Sequence, residues 1–330
     1  MKNKHILSKI FLTIFLITGN IISEPYKGAE YRTIEAFTYG RFETSYKPPR
    51  ADGMLASFFT YHEITDSTAW NEIDFEILGR YDNDVQVTSI GPGQAIRNSH
   101  QLVTYNPHED FHTYAFEWTP NYIAWFIDDV EVYRQTGAFI SDFQHPQKLM
   151  MNIWPPVYDG WTGILDPRSL PQFAFYEYAS YASYTPGSGN VGTNNDFTLQ
   201  WIDDFDSWNQ SRWEKATHTF PGNNCDFVPE NAVFQNGKLI LCLTEPSPLG
   251  YSDNKAPSGL WTRGQDDTII VRFSEQVDSV TSQVTSNYLI SGLTVNSAVL
   301  QPDKQTAVLD VTGLDTSLTY VGINTVYIGI

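Results

Sequence analysis

A chain of 330 residues, 41% hydrophobic and 15% aromatic, carries enough apolar material for one large core and a smaller second one. Its formal charge of -18 at pH 7 repels nucleic acid, anionic lipid and sulfated or carboxylated polymers, so any polymeric partner is expected to be neutral. Two cysteines, Cys225 and Cys242, exclude a disulfide framework and a cysteine-based zinc site, and leave open whether the two pair with each other.

At the N-terminus, Lys2, Lys4 and His5 precede a largely apolar run from Ile10 to Ile17, and small and polar residues follow between Thr18 and Ser23. These are the parts of a secretory signal peptide, too short to span a bilayer as a helix. We expect residues 1–23 to be removed, the mature chain to begin near Glu24, and the protein to be secreted or held at the cell surface. A retained membrane anchor is the alternative. Cleavage takes away Lys2, Lys4 and Lys9 and no acid, and no later segment looks membranous.

Period-2 alternation with clustered Val, Ile, Tyr, Phe and Trp recurs down the chain, as in Gly40-Arg-Phe-Glu-Thr-Ser-Tyr46 and His112-Thr-Tyr-Ala-Phe-Glu-Trp118. Turn residues follow these runs, for example Thr119-Pro-Asn121 and Asp128-Asp129. Long helical periodicity is absent, and the pattern predicts an all-β sandwich of two packed antiparallel sheets.

The segment Trp70-Asn-Glu72-Ile-Asp74-Phe-Glu76-Ile-Leu-Gly79 lies between the two runs. In an extended strand Glu72, Asp74 and Glu76 share one face while Ile73, Phe75 and Ile77 point to the other, into the core. Three carboxyls this close cannot all ionise freely, so one pKa is expected to rise while another stays low. That split suits retaining glycoside hydrolysis, in which one carboxylate attacks and a second carboxyl donates and then removes a proton. The same residues also fit a solvated strand face or a cation site.

Two stretches read as linkers. Residues 185–195 are rich in Gly, Ser and Asn, and residues 244–259 carry Pro246, Pro248 and Pro257. Beyond the second, Thr268–Phe273, Asn287–Ile290, Ala298–Leu300 and Ala307–Val311 read as short strands of a small Ig-like sandwich. The seven histidines lack ligand spacing, and no phosphate loop or Ser/His/Asp arrangement stands out.

Glu72-Ile-Asp-Phe-Glu76 followed by Ile-Leu-Gly79 resembles the active-site strand of glycoside hydrolase family 16, with the uninterrupted spacing of its lichenases, the endo-1,3-1,4-β-glucanases. The resemblance continues through Ser57–Tyr61, Phe111–Trp118, Met150–Trp154 and Gly160-Trp161, over roughly residues 28–245. Asp204–Trp208, Arg212–Lys215 and Asn236–Leu241 are similar to segments that open an ordinary lichenase, yet here they follow the catalytic strand. The chain thus resembles the circularly permuted lichenases, with residues 185–195 as a loop joining the former termini. The organisation it implies is a jellyroll domain over 24–247, a linker over 248–262 and the Ig-like module over 263–330.

This resemblance implies Glu72 as nucleophile, Glu76 as acid/base and Asp74 as the partner that tunes them. It implies a glucan cleft using Phe59, Tyr61, Trp70, Gln86, Asn152, Trp154 and Trp161. The tryptophans also fit as flat rings for the apolar faces of glucose, whereas for Phe59 and Tyr61 core packing stays open. Glu63 and Thr88 stand where Asn is usual, and His218 where a Trp stacks on sugar. A structural Ca²⁺ is implied at Glu177, Asp204 and the backbone of Gly237, and no cofactor is expected for catalysis.

The expected activity is a retaining endo-β-1,3-1,4-glucanase acting on neutral glucan as a monomer. The alternatives are a β-1,3-glucanase or xyloglucan-active member of the family, and a non-catalytic glucan-binding surface protein. The C-terminal module has few aromatics and reads as a spacer or attachment unit.

Overall fold

The computed structural model describes residues 23–63, 69–252, 257, 259–265, 267–274, 276–290 and 292–313. The expected signal peptide up to residue 22 lies outside them, as does the end of the small module.

Alternation of apolar and polar residues sets the architecture, because each strand buries one side and presents the other. Twelve strands run through the first part of the chain: β1 (Tyr26–Phe37), β2 (Gly40–Lys47), β3 (Leu55–Tyr61), β4 (Glu72–Leu78), β5 (Asp84–Gly91), β6 (Ala95–Leu102), β7 (His112–Trp118), β8 (Tyr122–Ile127), β9 (Val130–Thr136), β10 (Gln147–Trp154), β11 (Gln172–Tyr184) and β12 (Phe197–Asp203). Four short ones complete the large domain: β13 (Trp213–Lys215), β14 (Cys225–Phe227), β15 (Ala232–Phe234) and β16 (Leu239–Leu243). They form two eight-stranded sheets. One runs β13-β1-β10-β3-β4-β5-β6 with β14 on β1, and the other β15-β16-β11-β2-β7-β8-β9 with β12 on β11.

The inner faces meet in one core. Ile73, Phe75 and Ile77 of β4 are fully buried, as the alternation requires, and pack with Phe58, Phe116, Tyr114 and Trp125. Phe75 meets the ring of Tyr114 edge-on at 5.3 Å, and Phe58 contacts Phe116 at 5.6 Å. Burying an aromatic such as Phe75 stabilises the sandwich by about 1.5–3 kcal/mol. The second sheet also holds the first by its backbone: Trp125 Nε1 donates to the Asp74 carbonyl at 2.9 Å, and the Tyr176 hydroxyl to the Ser57 carbonyl at 2.9 Å.

The β8–β9 connection is a two-residue hairpin in which Asp128 and Asp129 both have positive φ, the conformation whose twist suits a tight turn. Gly79 ends β4 where the chain passes close to its neighbour: an added Cβ there would lie 2.1 Å from the Ala51 carbonyl oxygen. That contact explains the glycine that closes the acidic strand.

Residues 185–195 do not divide domains. They connect β11 to β12, which pair with each other from Tyr184↔Phe197 onward. Cys225 and Cys242 are both buried and both free thiols.

The small module contains β17 (Gly259–Gln265), β18 (Thr268–Phe273), β19 (Thr294–Leu300) and β20 (Thr306–Thr312) in the order β17-β18-β20-β19. Its first strand therefore begins inside the segment expected to be linker. Asn287–Ile290, expected as a strand, instead begins inside the second of two 3-10 turns, Thr281–Gln283 and Thr285–Asn287, with buried Tyr288 donating to the Ser282 carbonyl. Among the described residues the module is one four-stranded sheet rather than two facing sheets.

Candidate active site

β4 lies between β3 and β5, and its register lines up residues from separate parts of the chain. Tyr61 is opposite Glu72, Phe59 is opposite Asp74, which is opposite Thr88, and Ser57 is opposite Glu76, which is opposite Gln86. The last row continues outward to Asn152 and Glu30 on one side and to His100 on the other. Directly opposed residues share a face, so the outer face of this sheet collects Glu72, Asp74, Glu76, Phe59, Tyr61, Gln86 and Asn152.

Each outer carboxyl has its own support. Trp70 Nε1 donates to Glu72 Oε2 at 2.7 Å, and the Trp70 ring meets Tyr61 edge-on at 5.6 Å. Glu76 Oε2 accepts from Thr88 Oγ1 at 2.7 Å and from Gln86 Nε2 at 2.5 Å. Gln86 is held in turn by Trp161 Nε1, which donates to its Oε1 at 3.0 Å. Trp161 meets Trp154 edge-on at 6.1 Å, and Trp154 meets Phe220 at 5.0 Å, giving an aromatic wall beside the Glu76 end. Phe59 is buried yet lies outside the sandwich core cluster, so it supports the outer face. Asn152 accepts from the Ser57 hydroxyl and donates weakly to Glu30 Oε2 at 3.4 Å.

All three carboxyls are raised above their ordinary values, which corrects the expected split. Burial is the largest cause for each. Glu72 and Glu76 keep part of their surface open, but dense protein around the carboxyls removes most of their hydration. Trp70 opposes the rise at Glu72, and Thr88 and Gln86 oppose it at Glu76. Asp74 is raised well above its usual range by burial and by Glu72 and Glu76. Its buried Oδ2 has no hydrogen-bond partner. The interaction between the two favours the neutral form of Asp74 and the ionised form of Glu72.

The fold adds residues that the motif does not reveal. Glu30 on β1 is 5% exposed, and burial pushes its carboxyl up to about 7 despite Arg32 beside it. Arg32 Nη1 pairs with Glu63 Oε1 at 2.9 Å, and Lys148 Nζ with Glu63 Oε2 at 2.9 Å. Glu214 Oε1 bridges the same two cations at 2.9 and 3.0 Å. His218 Nε2 stands 3.9 Å from Glu30 Oε1, and its pKa is lowered by burial and by Arg32, which favours the neutral ring. Glu63 thus completes a four-member ion network, and Thr88 binds Glu76. Alternation within β1 is the one sequence signal for Glu30 and Arg32.

At the expected calcium position, Glu177 already faces a cation: Lys238 Nζ lies 3.2 Å from its Oε1, and Ser45 donates to its Oε2 at 2.8 Å. A Cβ added at Gly237 would lie 3.4 Å from Asp206 Oδ1. Among the described residues, no three His, Cys, Asp or Glu side chains group as a metal site. The expected set is two carboxylates and one backbone carbonyl, and its Glu177 is engaged by Lys238 and Ser45.

The Glycosyl hydrolases family 16 model matches residues 9–162. A protein of Fibrobacter succinogenes named beta-glucanase is 36% identical over 242 residues, covering 72% of this chain and 69% of its own length. The chain belongs to glycosyl hydrolase family 16. Acetivibrio thermocellus has a relative, also named beta-glucanase, that is 40% identical over 178 residues, 52% of this chain and half of that protein. Among solved structures, a Bacillus licheniformis beta-glucanase is 33% identical over 46% of this chain and 70% of its own, with a TM-score of 0.43. The family match includes β4 with its three acids.

Proposed function

We propose that this family 16 chain is a retaining glycoside hydrolase that cleaves β-1,4 bonds following β-1,3-linked glucose in mixed-linkage β-glucan. The observation that carries the reading is the outward row Glu72, Asp74, Glu76, with Glu72 held by Trp70 and Glu76 held by Thr88 and Gln86. The name beta-glucanase borne by the Fibrobacter and Acetivibrio relatives supports the substrate class.

In this mechanism Glu76 gives its proton to the glycosidic oxygen as Glu72 attacks C1, breaking the C1–O bond and forming a glycosyl ester. Glu76 then takes a proton from water, the water oxygen attacks C1, and Glu72 leaves as a carboxylate. Asp74, in its neutral form, favours the ionised form of Glu72. Phe59, Tyr61, Trp70, Trp154 and Trp161 provide apolar contact for glucose rings, with Asn152 and Gln86 as polar contacts.

Incubation with barley-type glucan, laminarin and xyloglucan tests the reading. Release from barley-type glucan of oligosaccharides whose reducing-end glucose carries the β-1,3 bond is expected, with little release from the other two. Preferential release from laminarin or xyloglucan, or binding with no reducing sugar, contradicts it.

The circularly permuted order is part of this reading. It is supported by the pairing of β11 with β12 across residues 185–196, and by a family match that stops at residue 162 while the Fibrobacter alignment spans 242 residues. Export through a cleaved signal peptide, action as a monomer and a spacer or attachment role for the last module complete it. Any structural Ca²⁺ would draw on Glu177, Asp204 and the backbone of Gly237, with Glu177 exchanging Lys238 for the ion.

A further inference from the structure

The Glu76 row does not stop at Gln86. His100 on β6 is directly opposite Gln86, on the same face, and β6 is the last strand of the sheet. Its Nδ1 lies 2.7 Å from Asp84 Oδ2. The Asp84 side chain is 10% exposed and its Oδ1 is buried without a hydrogen-bond partner, whereas the His100 ring is 49% exposed. A carboxylate accepts only, so Nδ1 carries the shared proton and Nε2 is left as the outward nitrogen.

A nearly buried aspartate that orients a half-exposed histidine is a costly arrangement for a surface ornament, since one of its oxygens gains nothing. On the same face of β6 lie Asn98 and Leu102, two residues to either side of His100, and Ile96 beyond Asn98. Leu102 is 76% exposed and Ile96 63%. The outermost strand therefore presents a polar centre flanked by open apolar side chains, the mixture that suits a sugar ring with hydroxyls at its rim and C–H groups on its faces.

We propose that His100, oriented by Asp84, binds a hydroxyl of the glucose unit on the leaving-group side of the cleaved bond, with Leu102 giving apolar contact. This rests on the glucanase reading above. It extends the binding face from Glu76 across β5 to the edge of the sheet, so a glucan gains from His100 while a substrate that ends at the scissile bond does not.

The test compares two substrates in the full chain: mixed-linkage glucan, and an aryl β-glycoside of a mixed-linkage trisaccharide, which has no sugar on the leaving side. For His100→Ala the ratio of kcat/KM on glucan to kcat/KM on the aryl glycoside is expected to fall about threefold to tenfold, the worth of one hydrogen bond. Asp84→Asn, which keeps the imidazole but weakens its anchor, is expected to move the ratio in the same direction by less. An unchanged ratio in His100→Ala, whether both activities fall together or neither falls, overturns the proposal while leaving the glucanase reading intact. A parent chain inactive on both substrates overturns that reading as well.

Discussion

Thr88 Oγ1 donates a 2.7 Å hydrogen bond to Glu76 Oε2, and Thr88 itself is 3% exposed. The bond opposes the rise that burial imposes on Glu76. Removing the donor with Thr88→Val therefore raises the Glu76 pKa further. Because the acid must carry its proton to protonate the leaving oxygen, the alkaline limb of the kcat/KM profile is expected to move to higher pH by about half a unit to one unit. A pH–rate profile on barley-type glucan checks both sign and size.

Trp70 plays the matching role at the other end. Its indole donor stabilises the ionised form of Glu72, which burial otherwise disfavours. Trp70→Phe keeps a ring against Tyr61 but loses the donor. The Glu72 pKa then rises, and since attack requires the carboxylate, the acid limb is expected to move to higher pH with a lower maximum rate. The limbs belong to the coupled pair, so the profiles of the two variants are best measured together.

Glu30 links the site to stability. Burial pushes its carboxyl from an ordinary value of 4.5 up to about 7 in the folded chain. The folded chain binds that proton more tightly than the unfolded chain, so the contribution is fully present below about pH 4.5 and is lost as pH rises through about 7. Glu30→Gln mimics the neutral acid. Urea unfolding is expected to find the variant equal to the parent near pH 4 and more stable near pH 8, by on the order of 3 kcal/mol.

Trp125 connects the second sheet to the backbone of the acidic strand through the Asp74 carbonyl. Trp125→Phe leaves that buried carbonyl without its donor and opens space in the core. A loss of about 1–3 kcal/mol in urea unfolding is expected, with a fall in kcat larger than any change in KM as β4 loses its support.

The acidic strand was legible because its information is local. Glu72, Asp74 and Glu76 alternate with Ile73, Phe75 and Ile77, and period 2 alone sends the two sets to opposite faces. Asp128-Asp129 was legible for the same reason, since two residues tolerant of positive φ mark a tight hairpin. Glu30 was not, because it reaches the Glu76 row only through pairings between distant segments, and His100 was not, because its place opposite Gln86 depends on the register of the β5–β6 hairpin, which alternation does not number. The carboxyl split failed on another ground: mutual repulsion was visible in the spacing, whereas the desolvation that raises all three depends on what packs around them. Asn287–Ile290 looked like a strand by composition, but Tyr288 is buried beside 3-10 turns through its bond to the Ser282 carbonyl. Tertiary packing overrode a short apolar pattern there.

The central claim is that Glu72 attacks the sugar while Glu76 moves the proton. Truncating the nucleophile to Ala and adding azide tests it most directly, with an aryl trisaccharide as substrate and NMR of the product. Glu72→Ala is expected to be inactive alone and to form the α-glycosyl azide, because azide enters the face the carboxylate vacated, whereas Glu76→Ala is expected to yield the β-glycosyl azide by trapping the ester. A β-azide from Glu72→Ala, or near-parental hydrolysis by that variant without azide, contradicts it.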